Sequence, residues 1–298
     1  MSRRALVLGG GGAAGNAWLL GVVAGLFDAG WDVTEADLII GTSAGSTAAA
    51  QITSATPTQL LAGILSTAPA QRPGPISANG GRVPVGAAAN HMEITQGIIG
   101  AARDAADMRR RLGAAALEMD TAVDGSRQAQ WRATVAARLP SQHWPQRTLL
   151  ITAVDARTGE PVVFDRHSGV DLADAIAAST ANGFGVPPYS IGSNRYIDGG
   201  YRRNENADLA GGCERVLVLS PLGGRSRHPV NWRTHLAAQA DELRAGGSTV
   251  ETILPDIDSQ GALGTGVTMM DLSRRRPSAE AGYQQGRALA GPLTEFWR

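Results

Sequence analysis

The feature that most constrains this chain is an apolar run that ends in a Gly-x-Ser-x-Gly signature. Residues 38–40 are Leu-Ile-Ile, the signature occupies 41–45 with Ser43 at its centre, and small residues follow. A strand, a sharp turn and a helix in this order form a nucleophile elbow, which holds a serine at the apex of a strained turn. Gly41 and Gly45 lack a Cβ, so the strand and the helix can approach closely. The pattern predicts that Ser43 is a nucleophile at a helix N-terminus, where the positive end of the helix dipole lies.

The composition excludes several kinds of chemistry. The chain has 298 residues, 43% of them hydrophobic, which fits one large α/β domain or two small ones. Every one of its 27 basic residues is arginine, so a Schiff-base lysine, a Ser–Lys dyad and a Walker lysine are all excluded. The 27 acidic residues balance this charge, and nothing indicates a nucleic-acid partner. Cys213 is the single cysteine, so no intramolecular disulfide is expected.

The sequence shows no feature typical of export or membrane insertion. Residues 1–4 precede a strand-like segment and lack the apolar core of a signal peptide. The longest apolar run, 18–27, is much shorter than the ~20 residues that span a bilayer. We therefore expect a soluble, cytoplasmic protein, with peripheral contact to a membrane surface left open and the oligomeric state undetermined.

The order of predicted elements indicates an α/β fold in a single domain, 1–298. A strand at 4–8, a helix at 14–29 and a strand at 38–41 form a right-handed βαβ unit with parallel strands. Strands are also predicted at 148–154, 161–164, 195–197, 215–219 and at the sheet edge, 249–254, and helices at 43–53, 58–66, 93–120, 131–139, 172–180, 234–245 and 278–290. Residues 68–91, rich in Pro and Gly, are predicted to form a long loop. Residues 55–147 are predicted to be a mostly helical insertion, either a wall or lid of a cleft or a layer on the outer face of the sheet.

A glycine run follows the first strand. Residues 10–15 fit G-x-G-x-x-G, but the second strand ends at Gly41 without the acidic residue that a dinucleotide site needs at its ribose. The run then offers backbone N–H groups near a helix start, which suits the oxyanion of a tetrahedral intermediate. A plain strand-to-helix turn without a ligand is the alternative.

A serine nucleophile needs a base within hydrogen-bonding reach. Five histidines occur in the chain, none of them in a strand-end motif, and His228 is the best candidate among them. No histidine pair has the spacing of metal ligands, and with one cysteine a zinc site is not expected. Asp198 is a different kind of candidate, because it ends a strand and precedes two glycines that let backbone approach it closely. An ordinary Asp-Gly turn would explain the same residues.

These three pieces together resemble the patatin-like phospholipase family. That family has a glycine-rich loop after the first strand, a Gly-x-Ser-x-Gly elbow about thirty residues later and a distant Asp-Gly-Gly or Asp-Gly-Ala. Here these are 10–15, 41–45 and 198–200. The segments that lead into the elbow and into 198–200 are also similar. The resemblance covers 4–54 and 148–222 well and 250–290 loosely.

The resemblance implies a three-layer α/β/α sandwich with a mainly parallel central sheet. It also implies a serine acyl hydrolase, a lipid acyl hydrolase or phospholipase A-like esterase, which uses a Ser–Asp dyad and an acyl-serine intermediate and needs no cofactor or metal. Carried over, Ser43 is the nucleophile and Asp198 the base. The backbone amides expected to form the oxyanion hole are those of Gly10, Gly11 and Gly12. The glycines that complete the motifs are Gly15, Gly41, Gly45, Gly199 and Gly200.

One position departs from the family pattern and bears on the substrate. The family has Arg or Lys just before the last glycine of the loop, and here that residue is Ala14. Without the cation, acyl transfer remains feasible, while a neutral ester becomes more plausible as a substrate. Two alternatives stay open: an α/β-hydrolase with a Ser43–Asp198–His228 triad, and a catalytically silent relative that binds a lipid or a partner. Only one strand precedes the elbow, which argues against the first.

Overall fold

The structure is a computed structural model, and it describes residues 3–67, 85–120, 125–182 and 186–297. A central sheet of eight strands occupies this part of the chain. The strands are β1 (Arg4–Leu8), β2 (Leu38–Thr42), β3 (Thr148–Asp155), β4 (Pro161–Phe164), β5 (Tyr189–Ile191), β6 (Asn194–Asp198), β7 (Arg215–Leu219) and β8 (Thr249–Ile253). Their order is β5-β6-β3-β2-β1-β7-β8, and β4 pairs with β3.

The centre of the sheet is parallel and one end is antiparallel. Strand β1 pairs in parallel with β2 and β7, β2 with β3, and β7 with β8. Strands β4 and β6 run antiparallel to β3, and β5 runs antiparallel to β6. The predicted α/β fold with a mainly parallel sheet is confirmed, and the strand predicted at 249–254 does lie at the sheet edge.

Helices cover both faces of the sheet. They are α1 (Gly12–Asp28), α2 (Ala44–Ile52), α3 (Pro57–Ser66), α4 (Val85–Ala101), α5 (Ala105–Met119), α6 (Ser126–Ala136), α7 (Leu172–Ser179), α8 (Leu236–Ala245), α9 (Ile257–Leu263) and α10 (Arg275–Trp297). Alternate residues of a strand face opposite sides. Leu6 and Leu8 of β1 therefore pack with α1, α2 and α7, whereas Ala5 and Val7 pack with α8. This arrangement is the predicted three-layer sandwich.

Several element boundaries differ from the sequence-based expectation. The predicted helix 93–120 is two helices, because the Asp104 side chain caps the start of α5 by accepting from the amide of Asp107 at 2.7 Å. Most of the predicted loop 68–91 lies outside the described residues, but its last residues are helical and belong to α4. The segment 257–263, for which no helix is predicted from the sequence, is helix α9, capped by Asp256. Strand β5 is too short to give a periodic signal.

Candidate active site

The sheet itself brings the two predicted reactive residues together. Strand β2 pairs with β3 as far as Thr42, which lies opposite Thr152. On the same edge of β3, the antiparallel strand β6 ends at Asp198, opposite Ala153, while β4 occupies the other edge. Strands β2 and β6 thus approach the same point of β3 from opposite directions. Ser43, the residue after β2, and Asp198, the last residue of β6, are therefore neighbours although they lie 155 positions apart in the sequence.

Ser43 adopts the strained conformation of an elbow. Its φ is 52° and its ψ is −118°, a region that L-residues rarely occupy. Three contacts maintain this strained backbone conformation. The Ser43 amide donates to the hydroxyl oxygen of Ser179 at 2.9 Å. A Cβ on Gly45 would overlap the carbonyl oxygen of Leu8, and one on Gly41 would lie 2.6 Å from the Cα of Ser46. Both glycines are required by close backbone packing around the serine.

The Ser43 side chain lies beside the carboxyl group of Asp198 and, as a hydrogen-bond donor, acts to lower the pKa of that carboxyl. The same carboxyl accepts from the amide of Gly200 at 2.8 Å, and its residue is only 7% exposed. Burial raises the pKa of Asp198 from 3.8 to about 6, although the bonds from Ser43 and Gly200 act in the opposite direction. The carboxylate is thus a stronger base than an exposed aspartate, yet it is still mostly ionised at pH 7.

His228 lies in the same cavity but is not part of this contact. Its ring Nδ1 bonds to the hydroxyl of Thr234 at 3.0 Å. Within the described part of the chain, no hydrogen bond joins His228 to Ser43 or Asp198. Burial, together with the charge of Arg227, lowers the pKa of His228 to about 4, so its imidazole is neutral at pH 7. A triad would need the carboxylate to bond the histidine, whereas here the carboxylate lies beside the serine.

The glycine run lies beside the elbow. A Cβ on Gly10 would be 3.5 Å from the Cβ of Ser43. The Gly10 amide, however, donates to the carbonyl oxygen of Asn204 at 3.1 Å, so it already has an acceptor. Helix α1 begins at Gly12, and Gly11 is its N-cap. Among the described residues no acceptor contacts the amides of Gly11 or Gly12, as expected for the first N–H groups of a helix.

The Ser43–Asp198 pair and the glycine run border a large cavity of about 850 Å³. Ser43, Asp198 and the glycines 10–12 line it together with apolar side chains. The apolar lining comes chiefly from Met92, Ile99, Leu222, Leu263, Met269 and Met270. Because Met92 and Ile99 belong to α4, the predicted insertion contributes one wall of this cavity. A volume of this size exceeds the needs of a small metabolite and fits a ligand with apolar chains.

Comparison with known proteins identifies the family of this chain. The family model for patatin-like phospholipase matches residues 6–210. This chain belongs to that family. No curated protein matches the sequence. The crystal structure of VipD from Legionella pneumophila is similar to this patatin-like chain with a TM-score of 0.46 and 14% identity, over 98% of this chain and 67% of that one. The crystal structure of the type III effector protein ExoU gives a TM-score of 0.33 and 16% identity, over 96% and 54%.

A buried polar network supports the patatin-like site from behind, and sequence reasoning did not identify it. Glu205 is 1% exposed and accepts from Ser220 Oγ at 2.6 Å and from Asn204 Nδ2 at 2.9 Å. Asn206, in a left-handed conformation, donates to the hydroxyls of Thr42 and Thr152 at 3.0 and 3.2 Å. The network ties the end of β2 to the segment whose carbonyl holds Gly10. The run Asn204-Glu205-Asn206, polar residues shortly after Asp198, was the available signal.

The residue that departs from the patatin-like pattern does not line the cavity. Ala14 is fully buried, in the first turn of α1. Next to it, Arg275 of α10 donates to the carbonyl oxygen of Ala13 at 3.3 Å and to Asn16 Oδ1 at 2.9 Å. Burial lowers the pKa of Arg275 to about 10, which still leaves it charged at pH 7. A distant helix therefore supplies a cation beside the turn where the family has one in sequence.

Proposed function

We propose that this chain is a lipid acyl hydrolase that cleaves an acyl ester through an acyl-Ser43 intermediate, with Asp198 as the base. The patatin-like family accounts for the acyl hydrolase activity. The observation that carries the finer assignment is the position of Ser43 beside the buried Asp198 carboxylate, where the ends of β2 and β6 meet on β3. Such a contact is what a nucleophile and its base require.

The chemistry follows from these positions. Ser43 Oγ attacks the carbonyl carbon of the ester while its proton moves to an Asp198 carboxylate oxygen. The free amides of Gly11 and Gly12 donate to the oxyanion that forms, aided by the positive end of α1. The C–O bond to the alcohol then breaks, and the leaving oxygen takes the proton from Asp198. A water molecule, deprotonated by the same carboxylate, hydrolyses the acyl-serine and regenerates Ser43.

In this scheme the predicted oxyanion hole has two donors instead of three. Of the three glycines 10–12, Gly10 is assigned a positioning role, because its amide donates to the Asn204 carbonyl. It contributes through its missing side chain, since a Cβ there would lie 2.9 Å from Asn204 Oδ1 and close to Ser43. Gly11 and Gly12 remain as the proposed donors.

The rim of the cavity supports access from a lipid surface. Leu254 is 41% exposed and lines the cavity, and Ile257, in the first turn of α9, is 80% exposed. Exposed apolar residues at and near the cavity suit shallow insertion into a bilayer. In the described part of the chain, no helix has the length and hydropathy of a membrane span. From the exposure of Leu254 and Ile257, we propose peripheral contact of this rim with the membrane.

Labelling with a fluorophosphonate and hydrolysis of a p-nitrophenyl ester test this function. Wild type should react, whereas Ser43→Ala and Asp198→Ala should lose both activities. His228→Ala is the matched control: it changes a residue of the same cavity and should still label. Loss of labelling in the His228 variant, with retention in the Asp198 variant, would overturn the dyad in favour of a triad. Failure of pure wild type to label at any pH from 5 to 9 would instead indicate a silent lipid-binding relative.

A further inference from the structure

The charge of the cavity is markedly one-sided. Of the described residues that line it, Asp198 is the only acidic one, and its carboxylate is buried against Ser43. Two arginines, Arg225 and Arg227, line the same cavity from the loop after β7. Both are exposed, so they lie toward its mouth, above the buried Ser43–Asp198 contact.

Neither arginine is neutralised by the protein. Arg225 Nε donates to the carbonyl oxygen of Leu222 at 3.1 Å, and Arg227 Nη1 lies 3.4 Å from the sulfur of Met92. These partners are uncharged, and no ion pair within the described residues involves either guanidinium. Each guanidinium retains several unused N–H donors, in the planar arrangement that matches the oxygens of a phosphate.

The charge of Arg227 reaches the neighbourhood of the reactive pair. The carboxylate of Asp198 and the guanidinium of Arg227 act on the pKa of the same phenol, that of Tyr201, in opposite directions. Arg227 also contributes to the lowered pKa of the adjacent His228. Because Arg227, Ser43 and Asp198 line the same cavity, one lipid molecule that occupies it can reach both the guanidinium and the serine.

The loop that carries the arginines is organised before any ligand binds. The amide of Gly224 donates to Ser220 Oγ at 2.9 Å, and that of His228 donates to Ser226 Oγ at 3.1 Å. The amide of Arg225 donates to the Leu222 carbonyl at 3.3 Å. Because the backbone is already fixed, a ligand needs to order only the two side chains, which lowers the entropy cost of binding.

We infer that Arg225 and Arg227 form an anion-recognition pair that selects acyl esters carrying a phosphate group, the phosphate lying at the mouth while the acyl ester reaches Ser43. This inference rests on the proposed function and names its substrate class. It differs from the expectation based on Ala14, which pointed to neutral esters. The two arginines supply at the mouth the positive charge that the loop 10–15 does not present to the cavity.

A binding measurement separates this inference from the question of catalysis. In a Ser43→Ala background, which leaves lipids intact, calorimetry compares dihexanoyl phosphatidic acid with dihexanoylglycerol, both below micelle formation. Adding Arg225→Gln and Arg227→Gln should lower the affinity for the phosphate-bearing ligand at least about tenfold, since hydrogen bonds between charged groups are stronger than those between neutral groups. Affinity for the phosphate-free ligand should not change. Arg157→Gln, a change of an arginine outside the cavity lining, is the matched control and should alter neither.

Further variants and ligands make the outcome decisive. Arg225→Lys with Arg227→Lys keeps the charge and should restore part of the lost affinity, because lysine binds phosphate as a point charge. Unchanged binding in the Gln pair, equal weakening of both ligands, or no binding of phosphatidic acid would each overturn the inference. If inorganic phosphate binds as tightly as the lipid and through the same arginines, the inference that the recognised phosphate belongs to a lipid is overturned. Failure of wild type to hydrolyse any ester refutes the proposed function and leaves this binding result to stand or fall alone.

Discussion

Replacing Asp198 by Asn should stabilise the protein at neutral pH while it abolishes activity. Burial raises the pKa of Asp198 from 3.8 to about 6, which corresponds to about 3 kcal/mol at roughly 1.4 kcal/mol per pKa unit. The folded state therefore binds this proton more tightly than the unfolded state does. The stability that Asp198 contributes is fully present below about pH 4 and is lost as the pH rises through about 6.

Asparagine resembles the protonated acid and does not titrate. Its Oδ1 can still accept from the Gly200 amide, which now bonds the carboxylate at 2.8 Å, and its NH₂ group can donate to Ser43 Oγ. The variant should thus keep the low-pH stability at all pH values. The expected gain over wild type is up to about 3 kcal/mol at pH 7 and falls to well below about 1 kcal/mol at pH 4.

Urea denaturation at half-unit steps from pH 4 to pH 8 measures this difference, because other titrating groups are common to both proteins and cancel. Asp165→Asn is the matched control of opposite sign. The Ser168 hydroxyl and the His167 amide hold the pKa of Asp165 low, so its replacement should give no gain at pH 7. A pH-independent difference between wild type and the Asp198 variant, or a variant less stable at pH 7, would refute the account of a desolvated base.

Three further predictions follow from the same geometry. The kcat/KM for a neutral ester should fall about tenfold per pH unit at pH values well below about 6, since Asp198 must be ionised to accept a proton. A kcat/KM that stays unchanged down to pH 5 would contradict this role of Asp198. Ser43→Gly should be more stable than Ser43→Ala by about 1–3 kcal/mol in urea denaturation, because only glycine relieves a φ of 52°; equal stabilities would argue against strain. Gly25→Ala should lower the free energy of unfolding by about 1–3 kcal/mol or more in urea denaturation, because its Cβ would overlap the Tyr283 carbonyl oxygen where α1 packs on α10. The control is Gly63→Ala at an exposed position with open space around the added Cβ, and it should not destabilise the protein.

The parts of the fold that sequence predicted are those that depend on short, local patterns. Strands such as β1 and β7 are continuous apolar runs because both of their faces are covered, and this pattern is visible without a structure. Ser43 was accessible through its glycine-flanked signature, and Asp198 through its position between a strand and two glycines. Family membership and the fold class are confirmed, whereas the roles of Ser43 and Asp198 stay predictions.

What the sequence could not provide depends on which segments meet in space. Strand β5 pairs locally with β6 across a two-residue turn, but its three residues are too few to show the alternation of a strand. The bond from Gly10 to the Asn204 carbonyl joins residues from different parts of the chain, so the glycine run alone could not show which of its amides is free. The role of Glu205 is hidden for the same reason, since its partner Ser220 follows a different strand.

The residues that bear on substrate preference therefore lie outside the glycine loop, on the other side of the cavity. Ala14 is fully buried, so no side chain at that position could touch a ligand without displacing the core. Arg275, which contacts the same turn, and the exposed pair Arg225 and Arg227 all lie after residue 210, beyond the span that the family model matches. Chains of this family can therefore share the loop, the elbow and the Asp-Gly motif while their cavities differ in charge. Because the electrostatics of the cavity mouth are set by this C-terminal part, substrate preference has to be inferred from the residues that line the cavity, and the family motif alone is insufficient for it.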